Sequence, residues 1–254
     1  MDRFLVFLAD GFEEIEALTL VDYFRRADIF VDTVSVGDDL FVCGSHNIIV
    51  KADRLIDDID LDFYDGIYIP GGSVGAKNLR DDKRVIDIVK KFDEEKKIIC
   101  AICAGPSVLD RAGIVSDRAL VCHPSVEKSL LNVGKIKSDE LIVVDGNIFT
   151  SRGAGASVFL ALKLIEKIKG IDVKERIKSG IQEDFVEKYF GFNFWYKFWI
   201  NRYFLLIYSF FVFLFYLKKG LYMLKYKNTD RYLISIKIIF WFLNFNWRYY
   251  EKDW

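Results

Sequence analysis

Short apolar runs, each cut off by glycine, proline or aspartate, recur between segments of helical period. Residues 4–9 (FLVFLA) stop at Asp10-Gly11, residues 66–70 (GIYIP) at Gly71-Gly72, and residues 98–102 (IICAI) at Cys103-Ala104-Gly105. Runs that are short and apolar throughout suit strands buried on both faces. Residues 13–27 place Ile15, Leu18, Val21 and Phe24 or Arg25 on one stripe, and three glutamates fall early in that helix, where the dipole favours negative charge. Residues 83–96, 104–112, 155–169 and 172–180 are predicted as further helices, with Gly113 stopping the second. Residues 30–36 alternate as a strand, short strands are predicted near 40–43 and 48–51, another ends within 121–125, and residues 141–150 form a hairpin turning on Asp145-Gly146. Strands alternating with helices predict an α/β fold with a mostly parallel sheet covered on both faces. In such folds sites form at the carboxyl ends of the strands.

This pattern stops before the chain does. The formal net charge of -1 hides a split: residues 1–188 carry 26 Lys and Arg against 34 Asp and Glu, whereas residues 189–254 carry 10 against 3. Of 41 aromatic residues, 27 fall in those last 66, including all five tryptophans. The two regions are therefore read separately, as residues 1–184 and 185–254. The longest uncharged stretch of the tail, residues 203–217, has 15 residues. As a helix it spans roughly 22 Å, short of a hydrocarbon core of about 30 Å. It is a candidate for membrane contact through flanking Arg202, Lys218 and Lys219, which can snorkel. The tail also lacks alanine and is rich in residues with A- and T-built codons, as frameshift or read-through of AT-rich DNA produces.

The four cysteines are Cys43, Cys100, Cys103 and Cys122. No secretory signal precedes the first strand, so free thiols in a reducing cytoplasm are expected. The net charge suggests no nucleic-acid partner. No metal-ligand spacing is present, His46 has no partner nearby in sequence, and no phosphate-binding glycine loop occurs.

Ala101-Ile102-Cys103-Ala104-Gly105-Pro106 has the form of a nucleophile elbow. A strand runs into the nucleophile, a helix starts at once, and small residues sit two positions either side because the backbone folds tightly there. Pro106 suits the first helical turn. The free N–H groups of the helix start are expected to lower the thiol pKa. A buried core cysteine is the alternative reading of the same residues. Cys100 and Cys103 spell C-x-x-C, but an odd separation along a strand points side chains to opposite faces, so Cys100 is read as packing.

Five separated motifs then carry a family resemblance: Ala9-Asp10-Gly11-Phe12-Glu13-Glu14-Ile15-Glu16, Pro70-Gly71-Gly72, the cysteine elbow, Cys122-His123-Pro124 and Ser151-Arg152-Gly153. In this order and spacing the chain resembles the ThiJ/PfpI superfamily, in the branch of the Parkinsonism-associated protein deglycase and its bacterial relatives. The resemblance implies a flavodoxin-like three-layer sandwich, a homodimer, and a site with Cys103 as nucleophile, Glu16 as a buried carboxyl beside it and His123 nearby. It further implies oxyanion or substrate donors at Gly72, Ala104 and Gly71, and Arg152 at the border of the site or dimer contact. Taken alone, Glu16 reads as a solvated helix glutamate and His123 as structural. With no acidic third member evident, a full catalytic triad is not supported. PfpI-type proteases usually place histidine directly after the cysteine; here that position is Ala104, which argues against proteolysis.

The implied activity is cofactor-independent conversion of reactive dicarbonyls such as methylglyoxal or glyoxal, or deglycation of early adducts. The alternative is a redox sensor or chaperone that oxidises the same cysteine without turnover.

Overall fold

The computed structural model describes residues 2–190. Its strands are β1 (Arg3–Leu8), β2 (Phe30–Ser35), β3 (Phe41–Cys43), β4 (Ile49–Lys51), β5 (Arg54–Leu55), β6 (Gly66–Ile69), β7 (Ile98–Ile102), β8 (Ala119–Leu120), β9 (Lys135–Ile136), β10 (Ile142–Asp145) and β11 (Ile148–Ser151). Its helices are α1 (Glu14–Arg26), α2 (Ser73–Asp81), α3 (Lys83–Glu94), α4 (Pro106–Ala112), α5 (Pro124–Glu127), α6 (Ser157–Lys169) and α7 (Ile171–Gly180). One compact unit spans Met1–Gln182, and the described residues 183–190 are helical and fall in a second. The tail stretch 203–217 lies outside the described residues. Among those described, no helix is long and apolar enough to cross a membrane.

Seven strands form the main sheet in the order β10-β11-β7-β6-β1-β2-β5. All its pairings are parallel except β10 with β11. Successive side chains of each strand enter opposite layers, as the period of two requires. Phe4, Val6 and Leu8 join Cys100 and Ile102 in a core with Leu20 and Phe24 of α1 and Leu160 and Leu164 of α6. Leu5 and Phe7 join Ile99 and Ala101 in the other core, with Val89 and Phe92 of α3 and Val108 and Leu109 of α4. This is the expected α/β sandwich with both sheet faces covered.

Three local expectations change. The strand expected to end within 121–125 stops at Leu120, because Pro124 opens α5 with His123 as its cap. Helix α2 was not predicted; it opens on a glycine and buries only Gly75, Ala76 and Leu79, too weak an apolar stripe to read. In α1 the buried stripe is Ala17, Leu20, Val21 and Phe24, while Ile15 is exposed. The buried face also holds Glu14 and Glu16, which a count of apolar residues passes over.

From β1 the chain crosses to the layer of α1, and from β6 to the layer of α2 and α3. The sheet order reverses between β1 and β6, so their carboxyl ends open a crevice where the chain diverges. Glu16 and Gly71-Gly72 come from the elements that border it, and Cys103 follows β7, the next strand beyond β6.

Candidate active site

Cys103 is the first residue beyond β7 and adopts φ 61, in the left-handed region. That conformation costs a side-chain-bearing residue about 1–3 kcal/mol and must be imposed by its surroundings. Here Cys103 N–H donates to the Ser151 carbonyl at 2.9 Å, its own carbonyl accepts from His123 N–H at 2.9 Å, and Gly105 N–H closes the turn onto Ile102 O at 2.7 Å. A Cβ at Gly105 would stand 2.5 Å from Ile69 O, which explains the small residue after the elbow. The side chain of Cys103 is half-buried.

Beside it lies Glu16, only 1 % exposed. Its Oε2 accepts from Gly71 N–H at 2.7 Å, and Tyr68 Oη–H donates to the Glu16 carbonyl at 2.9 Å, fixing this turn of α1 to β6. Burial pushes the Glu16 carboxyl up to about 7, against the lowering influence of Cys103 and of the Gly71 N–H, with Glu13 adding to the rise. Glu16 Oε1 is buried and meets no partner in hydrogen-bond geometry. The charge of the carboxyl and, after it, a hydrogen-bonding contact both act on the sulfur.

The thiol differs from expectation. Burial first, then the Glu16 charge and hydrogen bond, push Cys103 up to about 12, while the Ala104 and Gly72 backbone N–H groups act on the sulfur in the opposite sense. Helix-start donors alone do not hold the sulfur ionised. The two groups behave as a pair. Below about pH 7 each keeps its proton; above it the pair holds one, mainly on sulfur, and the thiolate beside a neutral Glu16 is the minor form of that state. Because burial raises the carboxyl, the singly protonated pair appears only as pH climbs through about 7. Alkylation of Cys103 by iodoacetamide, followed by mass, is expected to accelerate through that pH, below the roughly 8.5 of an ordinary cysteine. In Glu16→Gln the step near 7 disappears; its persistence there would show that another group controls the sulfur.

The other anticipated residues divide. Ala104 and Gly72 N–H face the sulfur, as the resemblance implies. Gly71 does not serve as a third such donor, since its N–H is taken by Glu16. His123 caps α5: Nδ1 accepts from Ser125 N–H at 3.2 Å and lies 2.8 Å from Ser125 Oγ, so this nitrogen is turned to the cap. Arg152 is half-buried and acts electrostatically on Cys122. All four cysteines are free thiols. Cys100 is fully buried in the core, as expected, but the parity argument for it fails: Cys103, turned by its positive φ, packs against the same layer.

The fold supplies two features the sequence did not disclose. Gly153 follows β11, and a Cβ there would lie 3.6 Å from His123 Cδ2, 3.9 Å from Cys103 Sγ and 4.0 Å from Glu16 Oε1. His46, partnerless in sequence, is brought to Glu14, with Nδ1 2.9 Å from Oε2, and lies 3.6 Å from Glu13. Among the described residues these three form the group whose ligand atoms, all within 4.8 Å, could meet a metal ion. Their hydrogen bonds already account for them: burial opposes it, but His46 and Ser45 hold Glu14 down at about 2.

A model of the DJ-1/PfpI family matches residues 2–167. Over 180 residues the chain is 35 % identical to the glutathione-independent glyoxalase DJ-1 of Schizosaccharomyces pombe, covering 68 % of this chain and 94 % of that one. The solved structure of Drosophila melanogaster DJ-1beta superposes with a TM-score of 0.69 at 31 % identity, over 71 % of this chain and 97 % of its own. That of Toxoplasma gondii DJ-1 in an oxidized form gives 0.67 at 33 %, over 72 % and 98 %.

Proposed function

The chain belongs to the DJ-1/PfpI family, and from that membership and the geometry of its site we propose that it converts small 1,2-dicarbonyls to 2-hydroxy acids, with Cys103 as nucleophile and no cofactor. The observation that carries this reading is a thiol in a strained elbow against a buried carboxyl whose pKa lies near 7. A general acid–base works best when its pKa is close to the working pH.

The steps balance without an external oxidant. The thiolate adds to the aldehyde carbon, a carbon–sulfur bond forms, and the carbonyl pair moves to oxygen, which takes the proton from Glu16. Ala104 and Gly72 N–H are placed to stabilise that developing oxyanion. Glu16, now ionised, removes the proton from the same carbon, and the pair forms a double bond to the neighbouring carbon while that carbon's oxygen takes up the carbonyl pair; the hydroxyl proton passes from the former aldehyde oxygen to this oxygen, and Glu16 returns its proton to the neighbouring carbon as the thioester carbonyl forms. The aldehyde carbon is oxidised to a thioester as its neighbour is reduced to an alcohol. Water displaces the sulfur and releases the hydroxy acid, so one dicarbonyl and one water give one acid.

The full chain given methylglyoxal, without glutathione or added metal, is expected to form lactate. The same sample is weighed after mild peroxide. No lactate, with a gain of two oxygens on Cys103, would reject turnover in favour of redox sensing; an oxidized relative and the half-exposed sulfur are what support that second reading. The proposal also takes the chain as a homodimer. Exposed Ile15, with exposed Ile48 and Ile49 at the start of β4, whose preceding turn bonds the start of α1 through His46 N–H to Glu14, supports this, and light scattering that finds a single chain would reject it.

A further inference from the structure

Residue 16 is held twice from β6. Its carboxyl accepts from Gly71 N–H at 2.7 Å, and its backbone carbonyl accepts from Tyr68 Oη–H at 2.9 Å. A carbonyl inside an α-helix already has a partner in the N–H four residues on, so the tyrosine bond is additional to the helix. The same strand sets the place of the thiol. Ile69 lies opposite Ala101 of β7, and two residues further on Gly71 meets Cys103, so that a Cβ on the glycine would stand 2.7 Å from Cys103 Cβ. Tyr68 itself is 1 % exposed, in the core shared by the sheet, α1 and α6. Burial pushes its hydroxyl far above the usual range, with Cys100, Glu16 and Cys103 adding to the rise, so it stays a neutral donor within electrostatic reach of both site groups. Phe4, Val6, Leu8 and Ile102 fill neighbouring strand positions of this core without a polar atom. Packing alone does not call for a hydroxyl at residue 68.

We propose that Tyr68 is a positioning residue of the site, whose hydroxyl holds the turn of α1 carrying Glu16 at a fixed depth beside Cys103. Its effect on turnover rests on the dicarbonyl reading above; its effect on the thiol rests on the Cys103–Glu16 pair alone. The Gly71 N–H fixes one carboxyl oxygen, Oε2, and a single point of attachment leaves the carboxyl free to pivot as α1 slides along the sheet. The bond from Tyr68 to the backbone of the same residue removes that freedom. A proton-transfer group has to stay within hydrogen-bond reach of the atoms it serves, so the second attachment keeps Glu16 both close to the sulfur and out of water. The titratable groups around the carboxyl are Cys103, Glu13 and Tyr68, with the His123 ring across Gly153. The face that α6 buries, with Leu160, Ala161 and Leu164, adds none.

The test compares full-length wild type, Tyr68→Phe, Glu16→Gln, the double variant of these two, and Tyr64→Phe. Tyr64 is the control: it is also buried, but its hydroxyl donates to Asp32 in the core on the other face of the sheet. Lactate formation from methylglyoxal, the pH profile of Cys103 alkylation by iodoacetamide and the thermal midpoint are measured for each. Phenylalanine keeps the ring and removes one oxygen, so both tyrosine variants are expected to stay within about 5 °C of the wild-type midpoint. Tyr68→Phe should lower kcat about tenfold and leave KM within about twofold, as when a reacting group is displaced without loss of substrate binding. Its alkylation step should move below the wild-type value near 7 by about half a unit or more, because a loosened turn lets water reach the carboxyl that burial raises. Tyr64→Phe should change neither, and the alkylation profile of the double variant should coincide with that of Glu16→Gln, since Tyr68 acts only through the carboxyl. A step that stays in place in Tyr68→Phe, an equal shift in Tyr64→Phe, or a double variant distinct from Glu16→Gln overturns the proposal. So does a Tyr68→Phe chain that does not fold, because the hydroxyl then serves the fold and not the site. If wild type forms no lactate, the dicarbonyl reading fails, and the alkylation profiles alone still decide whether Tyr68 positions Glu16.

Discussion

Cys103→Ser is expected to fold as wild type does and to form 2-hydroxy acid at least about 10³-fold more slowly, the scale of loss when a nucleophile that works with a partner is removed. Serine is nearly isosteric, and the three backbone bonds that hold φ 61 at this position involve no side-chain atom, so the elbow survives. The chemistry does not. A carboxyl near 7 can share a proton with a thiol, but a hydroxyl holds its proton far more tightly, and the nucleophilic form is then scarcely populated. Sulfur and carboxyl also act as one unit, so adding Glu16→Gln to Cys103→Ser should cost little more than the single change. Rates on methylglyoxal for the two single variants and the double variant check this. A serine variant keeping more than about a tenth of the wild-type rate removes the sulfur from the mechanism.

Gly72→Ala is expected to lower folding stability by about 2–6 kcal/mol, the sum of a glycine-only backbone conformation and overpacking against backbone atoms. Gly72 sits at φ 91, and a Cβ there would run into the Gly11 carbonyl oxygen, 2.8 Å from Glu13 N and 2.9 Å from Phe12 C. None of these is the end of a flexible side chain. Relief requires the loop after β6 to separate from the segment after β1, a contact made by Glu13 N–H to Gly71 O at 3.2 Å and Gly75 N–H to Gly11 O at 3.0 Å. A loss of this size is a large part of the roughly 5–15 kcal/mol that holds a typical domain together. Urea denaturation of Gly72→Ala beside Gly153→Ala provides the check, since the second change meets only ordinary contacts. Equal stability of the two variants would show that crowding at Gly72 is not what fixes it as glycine.

The sequence by itself determined the layered α/β fold and the elbow that carries Cys103. Apolar runs of five or six residues fit only strands buried on both sides, and a cysteine between small residues at a strand–helix junction has one geometry open to it. The same reading found Glu16 and His123 only through motifs shared with a family, because a glutamate on an early helical turn looks solvated until the sheet it faces is known. It phased α1 from Ile15, which is exposed, and it passed over α2. Only the tertiary structure decided how the groups act. It gave Gly71 N–H to Glu16 and spent His123 Nδ1 on a cap. It raised both the carboxyl and the thiol by burial instead of lowering the thiol at the helix start. It also set Gly153, 50 residues beyond Cys103, against the sulfur. The physical reason is range: backbone conformation follows from near neighbours in the chain, whereas pKa, tautomer and open space depend on what distant segments remove from water.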